Sequence, residues 1–286
     1  MKKQKNENVS YLSEVLDKLK EHKMAMAGLV VLIVEILMVV FLPMILKLDP
    51  YTSDYTAFSA APGGAHILGT DAIGRDVFAR LMYGGRTSLL VGFVSTLISC
   101  AIGAPLGLVA GYARGKAEAV IMRIADMMLA FPGLVLALAV AGIMGASIKN
   151  AIIAIVVVSW TKYARLARSL VMKIRDRDYV SAAIVTGSKT PYMLFRYMLP
   201  NALPTLIITA ATDIGSMMLE LAAMSFLGFG AKPPAPEWGY MLNEGRACMQ
   251  SAPWLMIFPG LAIFVVVVVF NMLGDSIRDI LDPRNE

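Results

Sequence analysis

The chain has 286 residues, a formal net charge of +5, and 57% of its residues in the set AVILMFWYC before its 23 glycines are counted. An average soluble domain is roughly 45–50% apolar with glycine included, and about 25% charged where this chain is 16%. Too little polar side chain exists to coat the apolar mass, which excludes an ordinary water-soluble globule, a disordered chain and a coiled coil. Two cysteines, Cys100 and Cys248, exclude a disulfide scaffold and supply no zinc-type spacing.

In chain order, residues 1–23 are polar and basic, with Leu12, Val15, Leu16 and Leu19 at helical spacing among Lys and Glu. That pattern predicts a short helix lying on a membrane surface. Six apolar blocks follow: Met24 to Ile45, Leu89 to Tyr112, Ala119 to Met144, Ala151 to Leu170, Ala202 to Phe226 and Trp254 to Leu273. Each approaches the roughly 20 helical residues that cross a bilayer core about 30 Å thick. The third is interrupted by Pro132 and the fifth by Asp213 and Glu220. The long polar lead before the first block argues for a retained span and against a cleaved signal peptide.

With the N-terminus placed in the cytoplasm, the inner segments hold 19 Lys and Arg and the outer segments seven. This asymmetry places both termini inside, and it explains the basic charge without nucleic acid. The expected organisation is a cytoplasmic tail (1–23), a first span (24–45), an extracytoplasmic segment (46–88), a core of five spans (89–273) and a cytoplasmic tail (274–286).

The stretch Lys162 to Asn201 interleaves basic and apolar residues between two spans. Tyr163, Leu166, Leu170 and Ile174 continue the fourth span into the cytoplasm at helical spacing. A small-residue patch, Ser181-Ala182-Ala183, leads to Gly187, which can adopt the positive φ of a turn between two short helices. Pro200 is expected to end this segment before the next span.

Here the sequence resembles the inner-membrane permeases of ABC importers in the peptide and nickel group, over nearly the whole chain after the tail. Tyr179-Val180-Ser181-Ala182-Ala183, Gly187 and Leu199-Pro200-Asn201 are similar to the family's cytoplasmic EAA loop, with Ser181 where the pattern has its first Glu. Leu68-Gly69-Thr70-Asp71, Gly74-Arg75-Asp76 and Arg86-Thr87-Ser88-Leu89 resemble the outer segment before the second span. Ser225-Phe226-Leu227-Gly228 with Pro236-Glu237-Trp238-Gly239 resembles the external loop after the fifth. Phe270-Asn271, Leu273-Gly274-Asp275 and Leu281-Asp282-Pro283-Arg284 resemble the C-terminus.

The resemblance implies an all-α membrane protein with six transmembrane helices and a cytoplasmic coupling helix near 171–200, in the multi-pass cytoplasmic membrane of a prokaryote. It implies Asp178, Tyr179, Ser181, Ala182, Ala183, Gly187 and Pro200 as the ATPase-coupling residues. The implied partners are a second homologous permease, two ABC ATPase subunits and an extracytoplasmic solute-binding protein, besides membrane lipid. ATP and Mg would be bound by the ATPases, with no cofactor on this chain.

No phosphate-binding loop exists: Gly115-Lys116 continues with Ala117, and Gly69 to Gly74 continues with Arg75-Asp76. Nor is there a GxSxG elbow, an HExxH helix or a paired-carboxylate motif, so no catalytic residue is expected. Among carboxylates inside spans, Asp213 and Glu220 share a face of the fifth span with Met217 and Met224, as a candidate translocation path; pairing with a partner permease is the alternative. For Glu35 pairing is favoured. The 20 Met residues read as adaptable packing with no metal site, and Gly103, Gly107 and Gly111 as a ridge for close helix packing. Residues 213–228 resemble nickel-type members somewhat more than peptide-type ones, which makes nickel, as a small-ligand complex, the expected solute and short peptides the alternative. A proton-coupled secondary transporter is a distant third reading.

Overall fold

The computed structural model describes residues 23–281, so the expected surface helix at Leu12–Leu19 and the motif residues Asp282-Pro283-Arg284 lie outside the described residues. The described chain is helical, with only isolated bridges such as Ser53 to Arg75 and Thr70 to Asp76 in the segment between the first two helices. Four helices are long and apolar enough to cross a membrane: Lys23–Ile45, Val77–Ala113, Thr190–Phe226 and Trp254–Ile277. A bent pair makes a fifth if counted as one span. The expected count of six is not reached on length and composition, because the remaining long helix carries Lys162, Arg165 and Arg168 within its apolar run.

Helix α1 (Lys23–Ile45) buries one stripe, Ala25, Gly28, Leu32, Glu35, Val39 and Pro43, at the three- and four-residue intervals of a helix face. Its other faces leave Val30, Ile33, Leu37 and Phe41 exposed, as a lipid-facing helix requires. Pro43 has no N–H to give the Val39 carbonyl four residues back. Arg86 Nε donates to that carbonyl at 2.8 Å, and Arg86 Nη2 donates to Val40 O.

Helix α2 (Val77–Ala113) begins twelve residues before the expected second span, at Asp76, whose carboxylate accepts the Ala79 N–H at 2.8 Å. The segment expected as 46–88 therefore ends in helix. Gly103, Gly107 and Gly111 do form a ridge: a Cβ on Gly107 would lie 2.2 Å from Ala164 O, and one on Gly103 2.3 Å from Trp160 O. Backbone meets backbone there.

The expected third span is broken. Helix α3 (Gly115–Leu129) and helix α4 (Gly133–Met144) meet at 91°, with Pro132 at the joint. Arg168 Nε to Glu118 Oε1 (2.8 Å) and Arg165 Nη2 to Asp126 Oδ1 (2.5 Å) hold α3 along the next helix. That helix, α5 (Ile148–Arg175), is capped by Ser147.

A short helix, α6 (Asp178–Val185), follows, then α7 (Thr190–Met193), a π-helical turn (Leu194–Met198) and α8 (Leu199–Phe226). Pro200 does not end the segment as expected. The Leu199 N–H reaches Leu194 O in the wider π register just ahead of it, so the ladder shifts where proline would break it and helix continues on both sides. Helix α9 (Trp238–Gly245) and helix α10 (Trp254–Leu281) complete the bundle, and α10 runs on through the first part of the expected tail at 274–286.

Candidate functional site

Three regions carry the residues singled out by sequence: a knob at one end of the bundle, a charge pair midway along it and a lock at the other end.

The knob is α6 and its turn. Ser188 N–H bonds Ala183 O at 3.1 Å and Gly187 N–H bonds Ile184 O at 2.9 Å, the double bond of a Schellman cap, with Gly187 at φ +84°. A Cβ on Gly187 would meet nothing within 4 Å, so the glycine serves the turn and not a close approach. Asp178, Tyr179, Ser181 and Ala182 are exposed. Ala183 is not: with Val180 it packs inward on a cluster that includes Tyr163, Ala167, Val171, Met193 and Met198. The apolar residues that do face outward are Ile184, Val185 (87% exposed), Tyr192 and Phe195, which the small-residue motif did not flag. Tyr179 and Tyr192 lie 6.2 and 6.0 Å from the Tyr197 ring, clasping α6 to the helix that follows.

Midway along α5 and α8, Lys162 Nζ meets Asp213 Oδ1 at 2.5 Å and the Tyr163 hydroxyl donates to Asp213 Oδ2 at 2.9 Å. Asp213 is thus satisfied within its own chain, so it needs no partner permease to pair with, the alternative the sequence offered beside a translocation path. Met217 and Met224 pack inside among Val91, Ala137, Ala154 and Leu221, away from any open surface. Glu220 is half-buried and, among the described residues, makes no ion pair or hydrogen bond. Glu35 lies on the buried stripe of α1 with Oε2 unpartnered. Among the described residues no group of three or more His, Cys, Asp or Glu could hold a metal ion.

The lock joins the segment before α2 to α9. Arg75 Nε bonds Asp71 Oδ2 at 2.7 Å, Arg80 Nη1 bonds the same oxygen, and Glu244 takes Arg75 Nη2 at 2.8 Å and Arg80 Nη2 at 2.5 Å. Two carboxylates and two guanidiniums cancel, the condition under which buried charge is tolerated. Burial works to raise the Asp71 carboxyl, but the Arg75 N–H and the two guanidiniums together hold it below the usual carboxylate range. Next to it, the hydrogen bond to Asp76 lifts His66 above its ordinary value, against mild desolvation. Trp238 drops into a notch in α2 made by Gly84 and Gly85, its Nε1 donating to Leu81 O at 2.8 Å. Glu237 caps α9 through Gly239 and Tyr240 N–H and accepts from Ser88. The Pro-Glu-Trp-Gly motif is thus a structural plug.

Residues 103–286 match the family described as "Binding-protein-dependent transport system inner membrane component", and residues 10–62 match "N-terminal TM domain of oligopeptide transport permease C". The dipeptide transport system permease protein DppC of Alkalihalophilus pseudofirmus is 42% identical over 276 residues, 96% of this chain and 91% of that one. DppC of Haemophilus influenzae is 43% identical over 271 residues, 93% of this chain and 92% of its own. The glutathione transport system permease protein GsiD of Pectobacterium atrosepticum is 42% identical over 270 residues, 93% and 88%. Among solved structures, an inward-facing MetNI methionine ABC transporter aligns with a TM-score of 0.58 at 18% identity, over 71% of this chain and 97% of that one, which establishes the fold.

Proposed function

The chain belongs to the dipeptide/oligopeptide permease family of ABC importers, inner-membrane components of binding-protein-dependent transport systems, and from that membership we propose that it moves short peptides into the cell as one of two homologous permeases. It is a permease subunit and not an enzyme; in such importers separate ATPase subunits hydrolyse ATP. Two ATPases would bind ATP and Mg, an extracytoplasmic protein would deliver the solute, and both termini would face the cytoplasm. The names of the relatives favour dipeptide and glutathione over nickel as solute, and nothing in them supports the nickel preference drawn from residues 213–228.

One observation carries the coupling role: a capped eight-residue helix stands at the end of the bundle with Tyr179, Ile184 and Val185 exposed, on an end rich in basic rather than lipid-facing residues. An apolar patch of that kind marks a contact with another protein. Tyr179, Ser181 and Ala182 would touch the ATPase directly, Asp178 would sit at the helix start, Ala183 and Pro200 would hold the helix in place, and Gly187 would shape its end. When the ATPases close on nucleotide, α6 would be carried with them and α5 and α8 would tilt.

The test is Val185→Asp in the full complex. A charge in place of the methyl pair that the ATPase would bury forfeits about 1.5–3 kcal/mol of apolar contact, so dipeptide uptake and binding-protein-stimulated ATP hydrolysis should fall at least about tenfold while the complex remains in the membrane. Full coupling in that variant would overturn the docking role. Uptake of nickel but no dipeptide by the wild-type complex would overturn the substrate.

A further inference from the structure

Helix α8 carries a polar stripe that its own chain covers only in part. Thr205, Thr209, Ser216 and Glu220 follow at intervals of four, seven and four residues, which keeps all four within an arc of about 60°. Thr205 and Ser216 are exposed, and Thr209 and Glu220 half-buried. At the edge of the stripe lies Asp213, buried, with Lys162 reaching it from α5. The pair is one-sided: the Lys162 side chain is 56% exposed and that of Asp213 5%. Asp213 is satisfied from within by Tyr163, whereas Lys162 has two further N–H donors turned outward.

Both charged residues stand fourteen residues from the start of 28-residue helices, about 21 Å along each axis, at the depth where hydrocarbon is least tolerant of a cation. A half-exposed lysine at that depth faces water or protein. The stripe around it is hydroxyl and carboxylate, which suits water and a polar solute.

We propose that this stripe, with Lys162 at its edge, is the wall of the solute path that touches the travelling peptide, Lys162 taking the peptide's α-carboxylate and Glu220 its α-ammonium group. The assignment rests on the peptide reading above. Its dimensions agree: Asp213 and Glu220 are seven residues apart, about 10.5 Å of rise, and an extended peptide advances 3.3–3.6 Å per residue, so about three residues span that rise and a dipeptide reaches both charges through the long Lys162 and Glu220 side chains. The path-facing side of α8 is thereby turned about a quarter of a revolution from Met217 and Met224, which pack in the core.

The experiment uses the assembled complex with its binding protein in membranes, in a Cys100→Ala/Cys248→Ala background. Thr209→Cys and Ser216→Cys should react with a membrane-impermeant, water-soluble thiol reagent during ATP-driven cycling and be protected by dipeptide, while Leu219→Cys, beside the stripe, reacts more slowly. The double variant Lys162→Met/Asp213→Asn, which leaves no lone buried charge, and Glu220→Gln should each lower dipeptide uptake at sub-saturating concentration about tenfold, the value of one charge-assisted contact. Stripe cysteines that stay unreactive in a complex that still carries dipeptide would place the stripe against the partner subunit and overturn the proposal. So would unchanged uptake in both charge variants. A wild-type complex that carries no peptide would instead defeat the substrate reading, and the labelling pattern would still report whether the stripe is wet.

Discussion

At the residue scale, the Arg86 guanidinium stands in for the N–H that Pro43 lacks. A buried carbonyl left without a donor costs about 1–3 kcal/mol, and Val39 is only 1% exposed. Arg86→Ala should therefore lower the thermal stability of the purified complex by that order. In a Pro43→Ala background the main chain regains its own donor, and the same substitution should cost less than about half as much. A double-mutant thermal unfolding cycle measures the difference; equal losses in both backgrounds would show that Arg86 acts elsewhere. The sequence marks Arg86 as a member of an Arg-Thr-Ser-Leu motif, but its partner lies 47 residues upstream, a relation that no local pattern encodes. The same holds for Asp213. Its place inside a span was legible from composition, whereas its pairing with Lys162 and Tyr163 depends on how two helices 50 residues apart come together.

Between elements, the contact of α2 with α5 is closest along the glycine ridge. Gly107→Ala should destabilise the fold by about 1–3 kcal/mol, because the new Cβ meets backbone that has no room to give. Gly28→Ala is the matched control: it too is a buried helix glycine, but a Cβ there meets Leu273 at an ordinary 3.5 Å. Fluorescence-detected size exclusion after a heat step should separate the two, and similar losses would sink the packing argument. This ridge was legible from its four-residue period, and so was the capped turn at Gly187, because both are local. The interruption at Pro132 was legible too, but its 91° turn and the π turn before Pro200 were not. Hydropathy averages across a proline, and whether the chain breaks there or shifts its hydrogen-bond register is settled by what packs around it. Ala183 shows the same limit, since a small residue in a motif reads as a contact whether it faces outward or, as here, inward.

For the whole molecule, the 19-to-7 distribution of Lys and Arg predicts a direction across the membrane. Tyr55, 79% exposed in the segment before α2, and Val185 stand at opposite ends of the bundle. In intact cells with Cys100 and Cys248 removed, an impermeant thiol reagent should label Tyr55→Cys from outside and reach Val185→Cys only after permeabilisation; the reverse pattern would invert the topology. The knob at Val185 hangs from two unlike arms. Helix α5 enters it after 28 unbroken residues, whereas α8 departs through a π turn. Were the knob pushed as proposed, α5 would carry the displacement as one regular helix to Lys162, about 20 Å from its end, whereas on the other side the force would enter α8 through a turn of wider hydrogen-bond register.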